Sequence, residues 1–210
     1  TGEIMEPVGA MNYAEAVAAF AEQAAGLAAG GVDLLWIETM SDIAEVRAAV
    51  QGCRQATELP VVATMTFDTN GRTMMGITPV QASTELSAMN LAALGGNCGN
   101  GPDEIESVIQ AMYATNQDYP FVAKSNAGIP EYVNGHLHYN GTPEVMAEYA
   151  VRVRNFGARI IGACCGSTPD HIAAMAQALA DAPIEHQLVK TAAVVAAPGR
   201  SRTRERRRRG

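Results

Sequence analysis

Val61-Val62-Ala63-Thr64-Met65, with Asp68 three residues past its end, is an apolar run too short for a helix and too unbroken for a half-exposed strand. Such a run suits a strand covered on both faces of a parallel sheet. The same kind of run recurs along the chain. Val32-Asp33-Leu34-Leu35-Trp36-Ile37 precedes Glu38, and Leu91-Ala92-Ala93-Leu94 precedes Cys98. Phe121-Val122-Ala123-Lys124 precedes Asn126, and Arg159-Ile160-Ile161-Gly162 precedes Cys164. The five polar or reactive residues are spaced by 30, 30, 28 and 38, close to the ~30 residues of a βαβ unit.

Helical patterns fill the intervals. Thr78-Pro79, Gly101-Pro102, Thr142-Pro143 and Thr168-Pro169 each put proline where a first helical residue tolerates a fixed φ. Thr78 and Gln81 have capping-box spacing. An earlier alanine-rich helix, over about 12–29, ends at Gly30-Gly31. Strict alternation predicts an α/β fold with a parallel sheet and crossover helices. Strand-end groups arriving in phase favour a (β/α)8 TIM barrel, whose active site lies at the C-terminal strand ends. The alternative is a five-stranded flavodoxin-like sheet, in which ligands gather at a switch in strand order. A whole barrel has eight strands and ~250 residues. The chain, which opens on Thr1, is therefore expected to hold roughly the last five strands and six helices, with about three βα units upstream.

The composition is that of a globular domain: 210 residues, 48% hydrophobic, 18% charged. No apolar run approaches the ~20 residues of a membrane span, so no membrane partner and a cytoplasmic location are expected. The formal charge of -7 conceals two populations. Arg200, Arg202, Arg204 and the four arginines at 206–209 are seven of the fifteen basic residues, opposed there only by Glu205. The acidic remainder argues against a nucleic-acid partner. Residues 1–183 are expected to form the barrel portion. Residues 184–210, without amphipathic period, read as a disordered Arg-rich tail, with a polyanion-binding arm as the lesser alternative.

Cys53 sits in a helical stretch and reads as a small core residue. The other three cysteines lie in two glycine-lined strand ends, Gly95-Gly96-Asn97-Cys98-Gly99-Asn100-Gly101 and Gly162-Ala163-Cys164-Cys165-Gly166. Neighbouring residues of an extended strand face opposite ways, so Cys164 and Cys165 can serve one ion only if the backbone bends, which the glycines permit. Three thiolates with one open position describe a catalytic zinc site better than a closed structural one. On spacing alone other readings stay open: a strained vicinal disulfide, a disulfide from Cys98 that leaves an odd thiol, inert buried cysteines, or a phosphate cradle at 95–101.

Gly96-Asn97-Cys98 followed by Gly162-Ala163-Cys164-Cys165-Gly166 resembles the homocysteine S-methyltransferase family. Thr1-Gly2-Glu3, Trp36-Ile37-Glu38-Thr39, Met65-Thr66-Phe67-Asp68, Asn126-Ala127-Gly128-Ile129-Pro130 and Cys165-Gly166-Ser167-Thr168-Pro169 extend the resemblance over about residues 1–181. Lys124 to Tyr139, with Gly135-His136-Leu137-His138-Tyr139, is most similar to bacterial betaine–homocysteine methyltransferase-like members. The resemblance implies a Zn2+ held by Cys98, Cys164 and Cys165 that binds the sulfur of homocysteine, which takes a methyl group from an onium donor to give methionine. It further implies that Glu38 holds the homocysteine ammonium and that Asn126 can occupy the fourth zinc position before substrate arrives. The family's loops for the substrate carboxylate and the methyl donor would lie before Thr1.

A betaine-type donor is favoured over S-methylmethionine or methylfolate relayed by cobalamin, because nothing downstream resembles a folate or cobalamin domain. A non-catalytic zinc-binding module is the competing class, and open strand edges would favour association, with a homo-oligomer as one form. His136 and His138 read as a surface or interface loop, and Asp68 as a turn acid.

Overall fold

The computed structural model describes residues 2–185; the tail reading for 186–210, like Thr1, lies outside the described residues. The chain runs α1 (Tyr13–Ala29), β1 (Leu35–Met40), α2 (Ile43–Ala56), β2 (Val61–Met65), α3 (Pro79–Ser87), β3 (Ala93–Cys98), α4 (Pro102–Tyr113) and β4 (Phe121–Ser125). A short hairpin follows, β5 (Glu131–Val133) and β6 (His136–His138). The chain then closes with α5 (Pro143–Asn155), β7 (Ala158–Ala163) and α6 (Pro169–Asp181).

The predicted start signals act as caps. Thr78 and Gln81 form a reciprocal capping box on α3, and the Thr142 hydroxyl accepts from Val145 N on α5. Among the described residues, four of the six helices carry proline in their first turn, where its missing N–H has no helical partner to lose.

The five long strands pair in parallel in the order β1-β2-β3-β4-β7, which is their order along the chain. Crossovers between parallel neighbours are right-handed almost without exception, which carries every connecting helix to the same face. A flavodoxin-like sheet would reverse direction within its strand order; this sheet does not, and it is an arc of a (β/α)8 barrel. Burial follows from that geometry. Leu35, Ile37, Val61, Ala63, Met65, Leu94 and Phe121 join Val46, Leu86, Ile109, Met146 and Met175 of the helices in one continuous core. The opposite, luminal face carries a smaller cluster of Val62, Ala93 and Val122, flanked by Trp36 and Ile160. Cys53 is buried in the helix-side core, as the sequence predicts.

The structure differs from the sequence reading in two places. β1 and β3 begin later than their apolar runs and continue through Glu38 and through Gly95-Gly96-Asn97-Cys98. His136 and His138 lie on the surface, but as strand residues of an antiparallel hairpin and not in a loop. Its turn is Asn134-Gly135, both with left-handed φ (49° and 83°), the pairing that a two-residue type I′ turn requires. Among the described residues no helix is long and apolar enough to cross a membrane.

Candidate metal centre

Two strands that flank β4 deliver the thiols. β3 ends at Cys98, in register with Ser125, and β7 ends at Ala163, also in register with Ser125. Cys164 N then donates to Ser125 O at 2.7 Å. The bend that the sequence assigns to the glycines starts on a cysteine itself: Cys98 has φ 65° and Gly99 φ 74°. A non-glycine residue held there costs about 1–3 kcal/mol and persists only where its surroundings enforce it.

Cys164-Cys165-Gly166-Ser167 forms a tight turn closed by Ser167 N donating to Cys164 O at 3.2 Å. Gly166 takes φ 81° at its third position, the conformation that reserves this place for glycine. A Cβ on residue 166 would also lie 2.4 Å from the Tyr139 ring. The turn overcomes the alternation of the strand and brings both adjacent sulfurs towards Cys98.

Cys98 Sγ lies 3.6 Å from Cys164 Sγ and 3.8 Å from Cys165 Sγ, and all three fall within 4.8 Å of one another. Tetrahedral zinc with Zn–S bonds of about 2.3 Å would hold its sulfurs about 3.8 Å apart. The residues present therefore fit a three-thiolate ion, and among the described residues no other group of three ligand side chains is so placed. Burial, followed by the hydrogen bonds and charges of Cys164 and Cys165, pushes the Cys98 thiol up to about 12. Three thiolates cannot crowd together unaided; a soft dication removes that penalty.

Asn126 joins the two turns. It follows β4 directly and is 8% exposed. Its Nδ2 donates to Gly99 O at 2.7 Å, and its Oδ1 accepts from Cys165 N at 3.0 Å. One amide thus braces the Cys98 turn against the Cys164-Cys165 turn. Ala127 N adds a bond to Cys165 O at 2.9 Å.

Glu38 sits on β1 beside a bulge between Ile37 and Met40, where Thr39 takes φ 62°. Asn97, fully buried, holds this bulge: its Oδ1 accepts from Thr39 N at 2.9 Å and its Nδ2 donates to Thr39 Oγ1 at 2.7 Å. The Glu38 carboxylate pairs with Lys124, whose ammonium lies 5.1 Å from the centre of the Trp36 ring. Asp68 occupies an exposed turn, accepting from Thr69 Oγ1 at 3.1 Å. His136 and His138 pair across the hairpin with Val133 and Glu131 and are not among the clustered ligands.

Sequence reasoning assigned no role to Asn97, Lys124 or His171. His171 is 9% exposed. It accepts from Thr168 N through Nδ1 at 3.0 Å, which leaves Nε2 to donate to Gly141 O at 2.9 Å. It fixes the segment leaving the Cys164-Cys165 turn. The available signals were an amide inside a glycine-rich strand, a lysine inside an apolar strand, and a histidine at capping-box spacing from Thr168.

Comparison with known proteins agrees with this architecture. The methionine synthase of Mycobacterium tuberculosis (strain ATCC 25618 / H37Rv) is 31% identical over 186 residues, covering 86% of this chain and 16% of that protein. That of Mycobacterium leprae (strain TN) is 30% identical over 185 residues, covering 85% and 15%. The chain thus spans about one sixth of the length of these relatives. The homocysteine methyltransferase MmuM from Escherichia coli, in its apo form, superposes with a TM-score of 0.61 at 23% identity, over 77% of this chain and 57% of that one. Its metallated form gives 0.61 at 24% identity, over 76% and 51%. Residues 1–179 match the homocysteine S-methyltransferase family model, and the chain belongs to that family.

Proposed function

We propose that this chain carries the zinc-dependent site that methylates the thiol of homocysteine to give methionine. The observation that carries the reading is the set of three sulfurs 3.6 and 3.8 Å apart, all within 4.8 Å, at the strand ends of a barrel arc. Cys98, Cys164 and Cys165 would hold Zn2+, and when bound that ion supplies the positive charge that keeps a fourth, incoming thiol ionised at neutral pH. Asn126 holds the two cysteine turns in register, and its Oδ1, with a second lone pair, is the oxygen we assign to the fourth position before substrate binds. Glu38 receives the substrate ammonium and so orients the sulfur.

Transfer is then an in-line displacement. The substrate sulfur attacks a methyl carbon of an onium donor, the C–S bond forms as the donor's C–N bond breaks, and a tertiary amine leaves with the electron pair. No general base is required, because the thiol has already lost its proton. A betaine-type donor is the one we favour; S-methylmethionine and cobalamin-relayed methylfolate are the competitors, and the similarity to methionine synthases keeps the latter in the comparison. Three thiols reserved for a metal would need a reducing, cytoplasmic setting.

X-ray absorption at the zinc edge tests the reading directly. Zinc-loaded protein is expected to have three sulfurs in its shell, rising to four on addition of homocysteine. Reduced protein that takes up no zinc, or a shell that stays at three sulfurs, refutes it. Methionine formation compared across the three donors then ranks them.

A further inference from the structure

Lys124 is the one charged residue of β4, half-buried among buried neighbours. It lies on β4, in register with Gly162 of β7. A Cβ on that glycine would stand 3.2 Å from Lys124 Cγ, so the neighbouring strand leaves room for the lysine. Below it the luminal face is apolar, formed by Val62, Ala93 and Val122. Its ammonium crosses the lumen to the Glu38 carboxylate, from β4 to β1 with two strands between them, over the Trp36 ring. The pair remains open to a ligand: the Lys124 side chain is 23% exposed and that of Glu38 37%.

We propose that Lys124 is a carboxylate-recognising residue of the site, acting beside the carboxylate loop that the family resemblance places before Thr1, and that a zwitterionic substrate enters by exchange with the Glu38–Lys124 pair. The proposal rests on the reading of Glu38 as the ammonium anchor. If a substrate ammonium takes the Glu38 carboxylate, Lys124 loses its counter-charge on a partly desolvated wall, where an unpaired charge is costly. A carboxylate restores the balance. An amino acid or an onium carboxylate brings one cation and one anion into a site that already holds one of each. An uncharged or purely cationic ligand leaves one residue of the pair without a partner. The carboxylate has two sources, homocysteine itself or the methyl donor, and the chemistry of recognition is the same for both.

Trp36 is the single tryptophan of the chain, so its fluorescence reports occupancy beside Lys124 without any turnover. Zinc-loaded protein is titrated with two matched pairs of ligands that differ in a carboxylate: homocysteine against 3-aminopropanethiol, and glycine betaine against choline. At least one pair is expected to show about a tenfold or larger preference for the carboxylate-bearing member, the scale of a hydrogen bond to a charged group. The pair that does so identifies the source. Lys124→Met is expected to abolish the preference with zinc content unchanged, and Lys124→Arg to retain most of it. No preference in either pair, or a preference that survives in Lys124→Met, overturns the proposal. Lys124→Arg against wild type keeps the test decisive if the methionine variant fails to fold. Cobalt in place of zinc separates the two readings. If homocysteine leaves the thiolate-to-cobalt absorption unchanged, the methyltransferase reading fails; if that band responds but the carboxylate preference is missing, only the role of Lys124 fails.

Discussion

Asn126→Ala removes a side chain that hydrogen-bonds to both cysteine turns. Two bonds are lost, Nδ2 to Gly99 O at 2.7 Å and Cys165 N to Oδ1 at 3.0 Å. Each is worth about 1 kcal/mol net, and a partner left dry costs about 1–3 kcal/mol. Asn126 is 8% exposed, but Gly99 is half-buried and Cys165 exposed, so water takes up part of the loss and the total should be roughly 2 kcal/mol, two net bonds. The loss should divide between folding and the ion. Partners that orient metal ligands typically account for about 10–100-fold in affinity, and Asn126 orients two turns that carry three ligands. The expected result is a fall in zinc affinity of that size, read by competition with a chromophoric chelator, together with a lower unfolding midpoint of the metal-free protein. Asn126→Asp preserves an acceptor for Cys165 N but sets a carboxylate oxygen against Gly99 O, so the unfolding midpoint of the metal-free protein should fall as well. Zinc affinity of Asn126→Ala within about twofold of wild type, with all three thiols intact, would refute the reasoning.

The remaining expectations are narrower. Cys98→Ala, Cys164→Ala or Cys165→Ala should each reduce zinc content from one ion per chain towards none under reducing conditions; by contrast Cys53→Ala, in the core, should leave metal content unchanged and lower stability only. Because the Cys98 thiol is pushed up to about 12, it holds its proton through the neutral range, and zinc must displace it. Loading should therefore release protons, and apparent affinity should rise steadily with pH below that value, as isothermal titration in buffers of different ionisation enthalpy would register. Glu38→Gln removes the charge proposed to meet the substrate ammonium. It should raise the KM for homocysteine by about 10–100-fold while zinc content stays constant; an unchanged KM excludes Glu38 as the anchor. Gly166→Ala combines φ 81° with a methyl group 2.4 Å from the Tyr139 ring, and should weaken both zinc binding and thermal stability. Wild-type values for both would show the turn to be tolerant.

The alternation of elements and the three thiols were readable in the sequence because both depend on local signals. β2 falls on Val61–Met65, where the apolar run had placed it, since a strand buried on both faces carries no charge, and its one polar residue, Thr64, accepts from Trp36 Nε1. β3 was harder. Gly95-Gly96-Asn97 has the composition of a turn, yet those residues pair with β2 and β4 and remain extended. The glycines serve close approach more than turning: a Cβ on Gly95 would overlap the Val122 backbone, with Val122 O only 1.9 Å away. That constraint comes from a strand 27 positions further along, and no local pattern contains it. The hairpin at Asn134-Gly135 is the opposite case, a short-range signal present in the sequence and hidden by the paired histidines beside it. Lys124 and Asn97 could not be assigned from sequence because each acts on a residue of β1, 86 and 58 positions away.

Those two long-range contacts bear on how the site measures its substrate. Asn97 and Cys98 are adjacent in β3, and they face different tasks. Asn97 fixes the Thr39 bulge next to Glu38, the proposed ammonium anchor, and Cys98 contributes a sulfur to the cluster that would hold the ion. The distance between ammonium anchor and sulfur anchor is therefore set by a strand in the middle of the sheet, not by two independent loops. Each loop that carries a thiol is in turn tied to β4, through Asn126 and Ser125. A thiol amino acid spans those two anchors with its own carbon chain, and one methylene more or less is worth only about 1–3 kcal/mol in a compliant pocket. Discrimination by chain length needs anchors that do not yield. Buried amide braces on the central strands, with the left-handed strain at Thr39 and Cys98 held in place by them, are what this fold provides for that purpose.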